Sequence, residues 1–226
     1  MTTALFAVTA ADRLRLADGS EHPCGYWPEE LVTPHKVLRD AGIDVMVATP
    51  GGVAPTPDPA GMAPEWKSYL DTVGDLATPR SLEDIEPSEI DLLFVPGGHA
   101  PMADLAESER FGALVAALVV KGTPVAAVCH GPAAFLPARA ADGGWLFDGY
   151  RMTVFTNAEE RDTGLHERMA WLAEDRLRAA GGVVSAAAEP WAEHVVVDRT
   201  LHTGQNPASA GPLAQALIRT VVAVRR

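Results

Sequence analysis

Short apolar runs alternate with stretches of helical periodicity along almost the whole chain, and this alternation constrains the fold more than any other feature. Ala4–Thr9, Ile43–Thr49, Ile90–Val95 and Val125–Val128 read as strands. Between them, Glu29–Ala41 places Leu31, Val32, Val37, Leu38 and Ala41 at helical spacing before Gly42, with Pro34 tolerated in the early turns. Ser108–Lys121 does the same with Phe111, Leu114, Val115 and Leu118 before Gly122. Strands this apolar are covered on both faces, and strands separated by helices pair in parallel. The expected fold is α/β: a three-layer sandwich around a mainly parallel sheet. Further along, Gly131–Ala141 and His166–Ala180 are expected to be helical, and Pro207–Val224 to be a closing helix. Arg151–Thr156, Val183–Ala187, Val195–Val197 and Leu201–Thr203 are further strand candidates, the last two joined by a tight turn at Asp198-Arg199-Thr200. Gly51–Pro64 is rich in proline and glycine and reads as a surface loop.

At 226 residues the chain is expected to form one domain, residues 1–226, with no repeat and no compositional break. Hydrophobic residues make up 47% and charged residues 21%, so global disorder is excluded. The net charge of −12 repels phosphate backbones and argues against nucleic acid as a partner. No apolar run approaches the roughly 18 residues that span a bilayer, so no membrane partner is expected. The N-terminus lacks a basic leader and reads as a first strand. Two cysteines cannot build a disulfide framework, and a reducing, cytoplasmic location is expected.

Open parallel sheets bind ligands beyond the carboxyl ends of their strands. Three loops are therefore of interest. Ala126-Ala127-Val128-Cys129-His130-Gly131-Pro132 sets a cysteine between a buried strand and a helix, with small residues after it. A strand–nucleophile–helix turn needs such residues because its backbone is strained. The following helix N-terminus is expected to lower the Cys129 pKa. A buried structural cysteine is the commoner fate for Cys, but the flanking His130-Gly131-Pro132 tips the balance to a nucleophile. Phe94-Val95-Pro96-Gly97-Gly98-His99 offers backbone N–H groups that can approach a ligand, as in an oxyanion hole, or a plain tight turn. Cys24-Gly25-Tyr26-Trp27-Pro28-Glu29-Glu30 opens a helix with two carboxylates about 100° apart, so only one of them can point inward.

Together, Glu29–Pro34, Val95–His99, Ala127–Pro132 and Thr203–Ser209 resemble the PfpI-like superfamily, the class I glutamine-amidotransferase-like fold, and within it the heat-shock-chaperone-type glyoxalase III branch. The resemblance implies that Cys129 is the nucleophile, His130 its neighbouring histidine and Glu30 the buried acid, the last by its offset to Pro34. It implies that the Gly98 and His130 amides form the oxyanion hole and that Glu160 is the third acid, with Glu159 as fallback. It also implies a flavodoxin-like sandwich and a homodimer. Amidotransferases pair their cysteine with a distant His-x-Glu; none is present here, so ammonia transfer from glutamine is disfavoured.

The expected function is cofactor-free conversion of 2-oxoaldehydes to 2-hydroxy acids, with no metal. Cys129 would take the aldehyde as a hemithioacetal, Glu30 or His130 would move the adjacent proton, and hydrolysis would release the acid. The rivals are a Cys129-dependent amidase or biosynthetic enzyme, acting on an acyl substrate, and a non-enzymatic holdase. His99, Trp27 and Gly97 are the candidate substrate-binding residues. His22, Cys24 and Glu30 match no zinc spacing. His35 reads as a surface or dimer residue, and Trp66, Trp145, Trp171 and Trp191 as packing residues.

Overall fold

A computed structural model describes residues 2–224; Met1, Arg225 and Arg226, the ends of the expected 1–226 domain, lie outside the described residues. In chain order the strands are β1 Thr3–Ala7, β2 Arg13–Arg15, β3 Glu21–Pro23, β4 Asp44–Thr49, β5 Arg80–Ser81, β6 Leu92–Val95, β7 Val125–Val128, β8 Arg151–Met152, β9 Val183–Val184, β10 Val195–Asp198 and β11 Leu201–Gly204. The helices are α1 Pro28–Asp40, α2 Pro64–Leu70, α3 Glu109–Lys121, α4 Asn157–Thr163, α5 Ala173–Ala179 and α6 Ala210–Val224.

Seven strands form one sheet in the order β10-β11-β7-β6-β1-β4-β5. All pairings are parallel except β10 with β11. Because side chains alternate along a strand, each central strand feeds two cores. Leu5, Ala7, Leu93, Val95, Val125 and Ala127 face a core closed by Phe111, Leu114, Val115 and Leu118 of α3 and Leu177 of α5. Ala4, Phe6, Leu92, Phe94, Ala126 and Val128 face a second core closed by Leu31, Val32 and Leu38 of α1 and Leu213 and Leu217 of α6. The chain is thus an α/β sandwich with a mostly parallel sheet at its centre. Among the described residues no helix is long and apolar enough to cross a membrane.

Several elements differ from the sequence expectation. Gly131–Ala141 is not an α-helix; only Gly131–Phe135 winds, as a 3₁₀ turn, and Pro137 lies just beyond it. His166–Ala180 breaks into a short 3₁₀ turn, His166–Arg168, and α5. Ahead of it, α4 forms behind a capping box in which Thr156 and Glu159 satisfy each other's backbone donors. Arg151–Thr156 and Val183–Ala187 shrink to β8 and β9, two residues each, which pair outside the main sheet. The closing helix starts as a 3₁₀ turn at Pro207–Ser209 before α6. The β2–β3 hairpin was not foreseen, since Arg13-Leu14-Arg15 carries too short an alternation to stand out. The tight turn after β10 is as expected, with Arg199 in the left-handed region at φ 54°.

Candidate active site

β1, β6, β7 and β11 are parallel neighbours, so their carboxyl ends share one edge of the sheet. Cys129 follows β7 directly. Its φ of 59° is a left-handed conformation that a side-chain-bearing residue rarely adopts. Flanking hydrogen bonds impose it: Cys129 N–H donates to the Gly204 carbonyl at 2.9 Å, and Phe155 N–H donates to the Cys129 carbonyl at 2.9 Å. The turn holds the thiol over the sheet edge, buried.

Glu30 sits in the first turn of α1 and is fully buried. The Gly97 N–H donates to its Oε2 at 2.8 Å. Its Oε1 has no hydrogen-bond partner of regular geometry. The carboxyl interacts with the Cys129 thiol, lowering its own pKa and raising that of the thiol. Glu29, one position earlier, is half-buried rather than solvent-facing, and burial raises its pKa. Glycine is required twice in the adjoining loop. A Cβ on Gly97 would come within 2.7 Å of both the Cys129 Cβ and Glu30 Oε2. Gly98 has φ 85°, and a Cβ there would run into the Gly25 carbonyl. These glycines let the loop lie close against thiol and carboxyl, and the N–H groups of Gly98 and His130 both reach the sulfur.

Burial dominates the electrostatics. It pushes Glu30 up to about 8. Burial also pushes Cys129 well above the ordinary thiol range, reinforced by the Glu30 charge and opposed by the two amides. The expected lowering of the Cys129 pKa by a helix terminus is thus overturned: the helix it relied on is a five-residue 3₁₀ turn, with too few aligned peptides to offset desolvation.

His130 Nε2 lies 2.7 Å from Glu160 Oε2, and His99 Nε2 lies 2.9 Å from Glu160 Oε1. A carboxylate only accepts, so each Nε2 carries a hydrogen. His130 Nδ1 is then the unprotonated nitrogen when the ring is neutral, and it stands 3.3 Å from the Cys129 sulfur. Burial, then the neighbouring His99, lowers the His130 pKa, which keeps that ring neutral. Burial alone would raise Glu160, but the two histidines overcome it and hold the carboxylate far below its usual range. The His99 and His130 rings are 4.1 Å apart between centroids. His99, His130 and Glu160 place their donor atoms within 4.8 Å of one another, the one group among the described residues that could hold a metal ion.

The structure therefore brings Cys129, Glu30, Gly97, Gly98, His99, His130 and Glu160 together. Glu159 faces elsewhere. Its Oε2 accepts from Thr156 N–H and Oγ1, and its Oε1 from Trp191 N–H, Gln205 and Asn206. It ties the Gln205-Asn206 loop to α4. The Trp27 indole covers Gly61 in the Pro-rich loop, and the Trp27 backbone N–H donates to the Gly97 carbonyl at 2.9 Å. His35 is buried, not on the surface; its Nδ1 pairs with the Tyr69 hydroxyl, and burial pulls its pKa down to about 4. Cys24 is buried and pushed up to about 12 by desolvation.

Two aromatic residues were missed. Phe155 lies 4.5 Å from the His130 ring, and Trp191 packs edge-on against Phe155 at 5.3 Å. Trp191, expected as a packing residue, packs on Phe155 yet stays 44% exposed. Their proximity to His130 comes from the chain's return past the sheet edge, for which the sequence carries no local signal.

The chain is 32% identical over 182 residues to human glutamine amidotransferase-like class 1 domain-containing protein 1, covering 80% of this chain and 82% of that protein. It is 26% identical over 230 residues to a probable glutathione-independent glyoxalase of Schizosaccharomyces pombe, covering 85% of this chain and 88% of that one. The crystal structure of glyoxalase III from Candida albicans superposes with a TM-score of 0.86 at 25% identity, covering 96% of each chain. The profile of the DJ-1/PfpI family matches residues 25–220, a span that begins just before the glutamate helix and runs through the cysteine turn into α6. By that match and these relatives, the chain belongs to the DJ-1/PfpI family.

Proposed function

We propose that this protein is a glutathione-independent glyoxalase that converts 2-oxoaldehydes to 2-hydroxy acids through Cys129. The observation that carries the reading is the pairing of a buried carboxyl, Glu30, raised to about 8, with a thiol that also faces a neutral imidazole nitrogen. Two proton acceptors beside one sulfur suit a reaction with two proton movements. Similarity to proteins named as glyoxalases in two fungi supports the same chemistry.

The steps balance as follows. The Cys129 sulfur adds to the aldehyde carbon while its proton passes to His130 Nδ1, and Glu160 stabilises the imidazolium. The amides of Gly98 and His130 hold the oxygen that becomes a hydroxyl when His130 returns the proton. Glu30, as carboxylate, takes the hydrogen from the former aldehyde carbon to give an enediolate, then returns that proton to the adjacent carbon, while the hydroxyl proton passes from the first oxygen to the former ketone oxygen. The product is a 2-hydroxyacyl thioester on Cys129. Water cleaves it to the 2-hydroxy acid and restores the thiol. The thiol takes the part that glutathione plays in a two-component route. The same reading has the protein act as a homodimer, which sedimentation would check. Incubation with methylglyoxal in the absence of glutathione is expected to yield lactate. Absence of lactate, together with release of acyl groups from amide substrates, would move the reading to a Cys129 hydrolase.

A further inference from the structure

One histidine is enough to pair with the acid beside a nucleophile, and the reaction proposed for this site uses His130 alone. Glu160 nevertheless holds two. His130 Nε2 faces its Oε2 at 2.7 Å and His99 Nε2 faces its Oε1 at 2.9 Å. The rings lie 4.1 Å apart between centroids, tilted by 38°, with both Nε2 atoms converging on one carboxylate. The three donor atoms lie within 4.8 Å of one another. They are also held from behind. Thr163 Oγ1 donates to Glu160 Oε1 at 3.0 Å, and His130 Nδ1 stands 3.3 Å from the Cys129 sulfur. Metal-binding carboxylates and imidazoles are oriented by such outer contacts. The cluster is open on one side. The Glu160 and His130 side chains are 3% and 2% exposed, whereas His99 is 12% exposed, with the His22 ring edge-on to it at 6.2 Å. An ion entering past His99 needs no cavity of its own, because it replaces the two hydrogens that now lie between nitrogen and oxygen. Tetrahedral zinc bonds of about 2.0–2.1 Å set neighbouring donors roughly 3.3 Å apart, about half an ångström more than now separates each nitrogen from its oxygen.

We propose that His99, His130 and Glu160 form a binding site for Zn2+, and that the bound ion switches the cysteine site off. Two imidazoles and one carboxylate suit a borderline divalent ion, whereas Mg2+ and Ca2+ take oxygen donors. A neutral imidazole carries one N–H. With Zn2+ on His130 Nε2, that hydrogen sits on Nδ1 and points at the Cys129 sulfur. Nδ1 then donates and can no longer take the thiol proton, which is the first step of the proposed reaction. The ring stays neutral, so its hydrogen changes nitrogen and no proton is lost. The binding stands apart from the glyoxalase reading; the effect on turnover rests on it.

The test titrates the EDTA-treated full chain with zinc chloride in a calorimeter. One equivalent should bind, and magnesium chloride should give no heat of binding. His99→Gln removes an imidazole while its amide nitrogen can still donate to Glu160, so circular dichroism should match the parent. That variant should bind zinc at least about a hundredfold more weakly, since even outer contacts are worth 10–100-fold in metal affinity. His166→Gln, which alters a histidine paired with Glu167 outside the cluster, should bind as the parent does. Co2+ in place of zinc should show no sulfur-to-cobalt charge-transfer band. No binding by the parent, equal affinity in His99→Gln, or such a band, which would assign the ion to Cys129, overturns the site. Nitrogen NMR of the histidine rings tests the switch without turnover: zinc should move the His130 hydrogen from Nε2 to Nδ1, and a ring that keeps its Nε2–H overturns it. Zinc that fills the site should also stop lactate formation from methylglyoxal, EDTA should restore it, and unchanged turnover with the site filled overturns the switch. A parent that makes no lactate, yet binds zinc through His99 and shows the tautomer change, overturns the glyoxalase reading and leaves this proposal standing.

Discussion

At the scale of single residues, the site is governed by how much desolvation each charge bears. Glu30 is kept protonated through neutral pH because burial outweighs the one amide on Oε2 and the thiol beside it. Its base form grows in as pH rises through about 8. Turnover of 2-oxoaldehyde should therefore climb toward that pH and level off above it, and Glu30→Gln should flatten the rise; a parent profile flat between pH 6 and 9 would contradict it. Glu160 shows the opposite balance. Two histidines donate to it and keep it ionised despite burial, so it can fix the tautomer of His130. Glu160→Ala should lower kcat by about a hundredfold or more, the usual size of a lost acid–base contribution, with the fold retained by circular dichroism.

At the scale of elements, the site is assembled by a few turns whose chemistry is local. The capping box at Thr156 and Glu159 starts α4 and so delivers Glu160 to His130. Glu159 also gathers Trp191, Gln205 and Asn206, all through one buried carboxylate. Glu159→Ala leaves those donors unpaired and should cost on the order of 3 kcal/mol in urea unfolding. Adjacent acids thus separate by readout, Glu159 by stability and Glu160 by rate. Much of this was legible in the sequence. Cys129-His130-Gly131 after an apolar strand and Gly97-Gly98 after another mark positions where local sterics dictate the residue type, whereas the choice of Glu30 over Glu29 came from the family resemblance through its offset to Pro34. What was not legible came from two sources. Short segments such as Gly131–Phe135 and Ala173–Ala179 are too brief for periodicity to separate a 3₁₀ turn from an α-helix. The Phe155–Trp191 contact and the second histidine on Glu160 depend on residues far apart in the chain, which no local pattern encodes.

At the scale of the whole molecule, a sheet buried on both faces is stable enough to carry an unfavourable buried acid. Folding raises the Glu30 pKa from its ordinary value to about 8, so the folded form holds a proton the unfolded chain has lost. Stability from this group is fully present at acid pH and falls as pH rises toward 8, by a few kcal/mol in all. Glu30→Gln should therefore raise the thermal midpoint more at pH 9 than at pH 5; equal shifts at both would contradict the burial argument. The two cores set the reserve that tolerates this cost. Phe94, fully buried beneath α1 and α6, should cost about 3–5 kcal/mol as Phe94→Ala, measured by denaturant unfolding.

In the proposed reaction one sulfur forms the bond and one carboxyl moves the carbon-bound hydrogen. Intact-protein mass spectrometry of Glu30→Gln mixed with methylglyoxal, read beside lactate output, tests it most directly. The expected result is a one-to-one hemithioacetal adduct on Cys129 that builds up while lactate falls at least about a hundredfold, with Cys129→Ser giving neither adduct nor lactate. Lactate at the parent rate from Glu30→Gln, or an adduct that survives in Cys129→Ser, would contradict it.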